Sequence, residues 1–158
     1  MNKILSIKKA LDFSNEFNLL NKKIVIVGGC FDIVHKGHLA FLKAAKKRGD
    51  KLFILLEEDE KVKKMKGKNR PIHNQKSRAK VLSLVKNVDF VVLLKNMKKD
   101  EDYAKLLLQI KPYAVAITDG DRNKDRKKIQ AESAGAKLVT VIRRMKNIST
   151  SEILKKVI

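Results

Sequence analysis

Five short runs of apolar, often β-branched residues, each separated from the next by a segment of helical periodicity, limit this chain to very few folds. The runs cover residues 24–27, 51–56, 89–94, 113–117 and 137–142. Between them, 38–48, 75–86, 103–110 and 124–134 repeat apolar residues at helical spacing and stop near Gly49, Pro112 and Gly135. A longer helical pattern over 4–20 precedes the first strand, and 149–157 closes the chain as a helix. Continuous apolar strands joined by helices are the pattern of parallel strands buried on both faces and linked by right-handed crossovers. The expectation is an α/β fold, a doubly wound five-stranded parallel sheet. Ligands of such sheets bind beyond the carboxyl ends of the strands. Functional residues should therefore follow Val27, Leu56, Leu94, Ile117 and Ile142.

At 158 residues the chain is one domain, with residues 1–22 as a helix packed on a body of 23–158. A single cysteine, Cys30, rules out an internal disulfide and an all-cysteine metal site. No apolar run approaches the ~20 residues that span a bilayer, and the start lacks a secretory pattern. A soluble, cytoplasmic protein with no membrane partner is expected. The lysine-rich stretch 61–68 is the one segment expected to be a mobile loop.

The formal charge of +20 invites a nucleic-acid reading, yet only 7 of the 37 basic residues are arginine and there is no tryptophan. Arginine suits bidentate phosphate and base recognition, whereas lysine is a hydrated point charge, and base stacking needs aromatics. The composition fits a solvated lysine surface and a small anionic substrate better than a nucleic-acid partner.

The first strand runs into Gly28-Gly29-Cys30-Phe31-Asp32-Ile33-Val34-His35-Lys36-Gly37-His38. Residues three apart share a face in a first helical turn, so both imidazoles can address one ligand. The helix N-terminus offers free N–H groups to phosphate, Gly37 permits close approach, and Gly28-Gly29 permits a tight turn. The two histidines could instead serve only as helix caps. Their place after a β-branched strand and before an apolar helix favours the ligand reading. There is no Gly-Lys-Ser/Thr or Gly-x-Gly-x-x-Gly phosphate loop.

This segment resembles the first signature of the HxGH nucleotidylyltransferases, which include the cytidylyltransferases and pantetheine-phosphate adenylyltransferase. Met65-Lys66-Gly67, Arg70-Pro71-Ile72 and Arg78 are similar to the adenylyltransferase domains of ADP-heptose synthesis. Arg144 to Ser151 is similar to the terminal signature of glycerol-3-phosphate cytidylyltransferases. The resemblance implies a Rossmann-like nucleotidyltransferase fold, with His35, His38, Lys66 and Arg144 in the catalytic role. It implies nucleotide contacts from Gly28, Gly29, Cys30, Phe31, Asp32, Gly37, Asp119, Asp121, Ile148, Ser149, Thr150 and Ser151. Lys66 and Arg78 would reach the acceptor phosphate.

Several of these positions also read directly from their chemistry. Ser149 with Glu152 forms a capping box whose hydroxyl-rich turn can hold phosphates. Asp119 and Asp121 flank Gly120 and could ligate Mg²⁺, contact a ribose or cap the next helix. Asp32 could orient the His35 turn, His73 reads as a surface loop residue, and a catalytic thiolate at Cys30 is not expected.

The implied reaction is nucleotidyl transfer from a nucleoside triphosphate to a phosphorylated small molecule, with Mg²⁺ as cofactor and pyrophosphate released. ATP with a sugar 1-phosphate is favoured, and in that pathway a separate kinase would have to make the sugar phosphate. CTP with a polyol phosphate, an FAD-synthase-like use of FMN, and nucleic-acid binding on this scaffold are the alternatives. Members of the family are often dimers, so a homodimer is compatible with the sequence.

Overall fold

The computed structural model describes residues 2–143. Six strands form one all-parallel sheet: β1 (Ile4–Leu5), β2 (Ile24–Gly29), β3 (Lys51–Leu56), β4 (Phe90–Leu93), β5 (Ala114–Thr118) and β6 (Lys137–Ile142). The helices are α1 (Ile7–Leu19), α2 (Lys36–Lys46), α3 (Asp59–Lys66), α4 (Gln75–Ser83), α5 (Asp100–Ile110) and α6 (Lys124–Ser133). Strand order is β1-β4-β3-β2-β5-β6. From β2 the chain winds one way through β3 and β4, then returns to build β5 and β6 on the other side. The order therefore reverses between β2 and β5, where a doubly wound sheet opens its ligand crevice.

The sheet has six strands where the sequence predicts five. Ile4 and Leu5 pair in parallel with Val91 and Val92 at the sheet edge. Their apolar pair runs straight into the helical pattern of α1, which hides a two-residue strand. The break is Ser6, whose Oγ accepts the Lys9 N–H at 3.2 Å as the N-cap of α1. The expected mobile loop 61–68 is also corrected, because most of it is the end of α3. Val62 is fully buried, Asp59 and Glu60 sit in the first turn, and Lys63, Lys64 and Lys66 in the last. That charge order matches the helix dipole.

Alternation along β2 sends Ile24 and Ile26 to one face and Val25 and Val27 to the other. The first face is covered by α1, α5 and α6 through Ala10, Leu106, Leu107, Ile110 and Ala131. Leu42 and Ala45 of α2, with Ala79 and Leu82 of α4, cover the second. Phe13 of α1 stacks on Phe90 with centroids 4.9 Å apart, and Phe17 meets Phe53 edge-on. Each fully buried side chain of this size stabilises by about 2–3 kcal/mol, so the strand ends are held on a rigid frame. No described helix is long and apolar enough to cross a membrane. The predicted helix 149–157 lies outside the described residues.

Candidate functional site

At the carboxyl end of β2 the backbone leaves the sheet through Gly28 and Gly29. A Cβ on Gly29 would sit 2.7 Å from Cε2 of Phe31, so only glycine lets that ring fold back over the strand end. Phe31 itself takes a left-handed φ of +46° with its ring buried. The ring lies 5.1 Å from that of His38. An aromatic residue in this conformation is strained, and such strain persists only where packing enforces it.

His35 is the N-cap of α2, and its Nδ1 accepts the N–H of Gly37 at 3.1 Å and of His38 at 3.4 Å. His38 returns the bond, its Nδ1 accepting the His35 N–H at 3.3 Å. The two rings stack with centroids 3.8 Å apart. A neutral imidazole that accepts at Nδ1 carries its proton on Nε2, so the capping box fixes the tautomer. Burial, with the neighbouring His35 adding to it, lowers the His38 pKa to about 4, against a hydrogen bond with the Ile33 backbone. Burial also lowers that of His35. At neutral pH the pair is uncharged, a donor of hydrogen bonds rather than of protons. Capping occupies Nδ1 of each ring, and His38 also bonds the Ile33 backbone, so a ligand would compete with that bond at His38.

His38 lines a cleft of about 180 Å³ at the crossover of β2 and β5, floored by Gly28, Gly29 and Ala116 and walled by Phe31, Phe41 and Lys127. The family model described as cytidylyltransferase-like matches residues 26–156. The chain belongs to this family of nucleotidyltransferases. It is 44% identical over 102 residues to the bifunctional protein HldE of Aliarcobacter butzleri, covering 65% of this chain and 20% of that one. Against the HldE of Campylobacter jejuni identity is 37% over 137 residues, 87% of this chain and 28% of that one. The chain thus spans 20–28% of these relatives' length. A lipopolysaccharide core biosynthesis protein from Thermoplasma volcanium superposes with a TM-score of 0.60 at 27% identity, covering 79% of this chain and 98% of that one.

Within this cytidylyltransferase-like chain the sequence-derived candidates separate into those at the cleft and those beneath it. Gly28, Gly29, Cys30, Phe31, His38 and Asp121 line the cleft, while His35 stacks on His38 and accepts the Gly37 N–H. Cys30 has its thiol pushed up by burial, against an opposing field from Lys66, so it is no thiolate. Lys66 ends α3, exposed, close enough for its charge to be felt at Cys30.

Asp32 is not among the residues lining the cleft. Its carboxylate accepts from Arg70 Nε at 2.7 Å, Ile72 N–H at 2.7 Å and His73 N–H at 3.0 Å, pinning the loop 70–73. Burial pushes its pKa up, but these three donors outweigh that and hold it low. The loop residue His73 is exposed, as expected.

Arg78 is 1% exposed and is placed differently from an acceptor-phosphate ligand. Its guanidinium donates to the carbonyls of His73 and Cys30 at 2.9 and 2.7 Å and to Asp59 at 2.7 Å. It ties α4, α3 and the histidine loop together from inside.

Asp119 is exposed after β5, whereas Asp121 is occupied: it accepts the Asn123 N–H and the Lys127 ammonium, both at 2.7 Å. Arg144, Ile148, Ser149, Thr150 and Ser151 lie outside the described residues. No three metal-ligating side chains converge among the described residues. Asp119 is left as the exposed carboxylate at this strand end, and a Mg²⁺ held by one or two carboxylates plus substrate phosphates would take such a donor.

A second cavity of about 200 Å³ opens on the opposite face of the sheet, between β2, β3, α5 and α6. Glu57, 8% exposed, sits on its wall with both carboxylate oxygens 2.9 Å from Tyr103 Oη. Burial raises the Glu57 pKa against that hydrogen bond and the Lys61 charge. The phenol is pushed up by burial and then by Glu57. Glu57, Tyr103, Lys61, Arg126 and Lys127 were not singled out from the sequence. Glu57 directly follows Leu56, one of the strand ends where ligands were expected, and that position was the available signal.

Proposed function

We propose that this nucleotidyltransferase joins the nucleotidyl group of ATP to a sugar 1-phosphate and releases pyrophosphate. The observation that carries the reading is the neutral, reciprocally capped His35–His38 pair at the sheet's reversal point. Similarity to the HldE proteins supports a sugar 1-phosphate as acceptor. An oxygen of the acceptor phosphate attacks the α-phosphorus in line, forming one P–O bond while the α,β-bridging P–O bond breaks. A phosphate monoester has a second pKa of about 6, so it arrives as a nucleophile and needs no general base. The chain's task is then positioning and charge neutralisation. His35 donates from Nε2 to the α- and β-phosphates, and His38 exchanges its hydrogen bond to the Ile33 backbone for one to the phosphates. The free N–H groups at the start of α2 add dipolar attraction. Lys66 approaches the triphosphate from the end of α3. By resemblance, Arg144, Ser149, Thr150 and Ser151 complete the phosphate site in this reading. Asp119, the exposed carboxylate just after β5, would hold a Mg²⁺ ion, which would supply charge screening for the triphosphate.

The family description favours a second reading, CTP with a polyol phosphate. Pyrophosphate release, measured for ATP and CTP against aldose 1-phosphates and glycerol 3-phosphate with Mg²⁺, decides between them. ATP with an aldose 1-phosphate should be the fastest pair. His38→Ala should lower kcat by at least ~100-fold, the scale of one lost transition-state hydrogen-bond donor, with the far-ultraviolet circular dichroism unchanged. Near-normal turnover in that variant would overturn the assignment.

A further inference from the structure

In an all-parallel sheet every strand starts at one end, and the crossover helices finish there. That amino end lies opposite the histidine loop. Five helix-to-strand connections meet on it, residues 19–24, 46–51, 83–90, 110–114 and 133–137. They hold nine lysines and arginines against two carboxylates, Asp50 and Asp89. Both carboxylates are occupied. Asp50 accepts the Lys23 N–H at 2.7 Å, while Asp89 accepts the Leu52 N–H at 2.7 Å and pairs with Lys46 at 2.6 Å. Acids gather at the carboxyl end instead, in 57–60, 100–102 and 119–125.

Lysines at helix C-termini complement the helix dipoles, but dipoles give no reason for the leucines among them. Leu19 and Leu84 are 85% and 81% exposed, more than any other large apolar side chain among the described residues, and Leu20 is 60% exposed. Leu19 and Leu20 finish α1, and Leu84 is the C-cap of α4. One helix packs on β4 from each face of the sheet, so the leucines flank the start of that strand.

We propose that this amino end is a docking surface for a bilayer of anionic lipid. The leucines enter the acyl boundary and the lysines meet the headgroups. The contact is peripheral, since no described helix can cross a membrane. A second copy of the chain fits less well, because a twofold contact through this end would set nine basic residues against nine. Nor does the surface suit a nucleic acid, which calls for arginine and free aromatic faces. Arg48 is the one arginine in these connections, and Lys23 and Lys137 already lie 4.6 and 5.2 Å from the centroid of Tyr113. Leucines gain nothing from a polyanion, whereas a bilayer takes them out of water. Docked this way, the chain keeps the histidine cleft open to solvent on its far side.

The chain has no tryptophan, so Leu19→Trp and Leu84→Trp each introduce a lone fluorophore at an exposed position. Vesicles of phosphatidylcholine with about one-third phosphatidylglycerol, at ~0.1 M salt, should shift both emissions to the blue. Brominated acyl chains should quench them. Ile72→Trp, exposed at the opposite end, should stay unshifted on the same vesicles. A Leu19→Gln, Leu84→Gln double variant should co-sediment with about tenfold lower vesicle affinity or less, while its binding of a single-stranded oligonucleotide is unchanged. Emission that stays unshifted on bound vesicles would mean adsorption by charge alone and would overturn the proposal. Absence of vesicle binding would overturn it as well. So would an altered oligomeric state in the double variant with its vesicle affinity intact.

Discussion

At the scale of single residues, the histidine pair makes the protein's stability a function of pH in a definite direction. His38 titrates at about 4 in the folded chain and at about 6.5 when unfolded. Between these values the unfolded state holds more protons, so stability falls as pH falls from about 6.5 to 4 and then levels off. The lowered value of His35 acts the same way. The raised value of Glu57 works in the opposite sense, stabilising the fold as pH falls toward its unfolded value. The lowered carboxyl of Asp32 contributes stability that is lost only below its ordinary value of 3.8. Each tenfold change in proton affinity is worth ~1.4 kcal/mol, which gives the partly exposed His38 an effect of about 2–3 kcal/mol. His38→Asn removes the titration but places an oxygen where Nδ1 accepted the His35 N–H, preserving the cap. Urea unfolding of wild type and variant at pH 7 and pH 4.5 should show that difference shrinking on going to acid. A gap that stays constant with pH would mean that His38 is not held neutral by its surroundings.

At the scale of elements, Arg78 shows how a residue type read correctly as anion-seeking can be spent on the fold. It holds the His73 carbonyl, the Cys30 carbonyl and Asp59 at once, joining α4 to the loop that carries the histidines. Arg78→Met leaves two buried carbonyls unpaired, at about 1–3 kcal/mol each, while the exposed Asp59 end adds little. The expected result is a loss of about 3–4 kcal/mol in urea unfolding with both KM values near those of the wild type. A raised acceptor KM with unchanged stability would return Arg78 to the phosphate site. The distinction was not legible in the sequence, because a helix face does not reveal which interior carbonyls the fold will bring to it. Asp32 is the same case, its partners lying some 40 residues away in the loop 70–73. The β3 and β6 boundaries were legible to the residue, since each is a largely apolar run opened by a lysine and stopped by a charged residue, Glu57 or Arg143. Helix α3 was missed because its only buried side chain is Val62, too little for a periodic signal. Its order of acids before lysines was the overlooked cue.

At the scale of the whole molecule, the net charge of +20 has to be divided between the site and the solvent. Two of the arginines, Arg70 and Arg78, point inward to Asp32 and Asp59, and Arg126 pairs with Asp100. What remains outside is mostly lysine, strongly hydrated, and among the described residues Tyr113, between Lys23 and Lys137, is the exposed aromatic beside it. Among the described residues, Lys61, Arg126 and Lys127 line the two cavities, Lys66 acts on Cys30, and Lys36 lies in the histidine loop. This division predicts two different salt dependences. A triphosphate held by a few partly buried cations and neutral histidines is weakly screened, so KM for ATP should rise only a few-fold between 50 and 300 mM KCl. Single-stranded RNA can meet only the diffuse lysine surface, whose charges are screened within about 10 Å at 0.1 M salt. Its binding should fall steeply with log salt concentration and be lost near 150 mM KCl. Fluorescence anisotropy with a labelled oligonucleotide, run beside the ATP titration, compares the two directly. RNA binding that persists at 300 mM KCl and is indifferent to a His35→Ala, His38→Ala double variant would show that the lysine surface has a ligand of its own. Loss of RNA binding while ATP turnover continues would place the functional charge in the handful of side chains around β2 and α6.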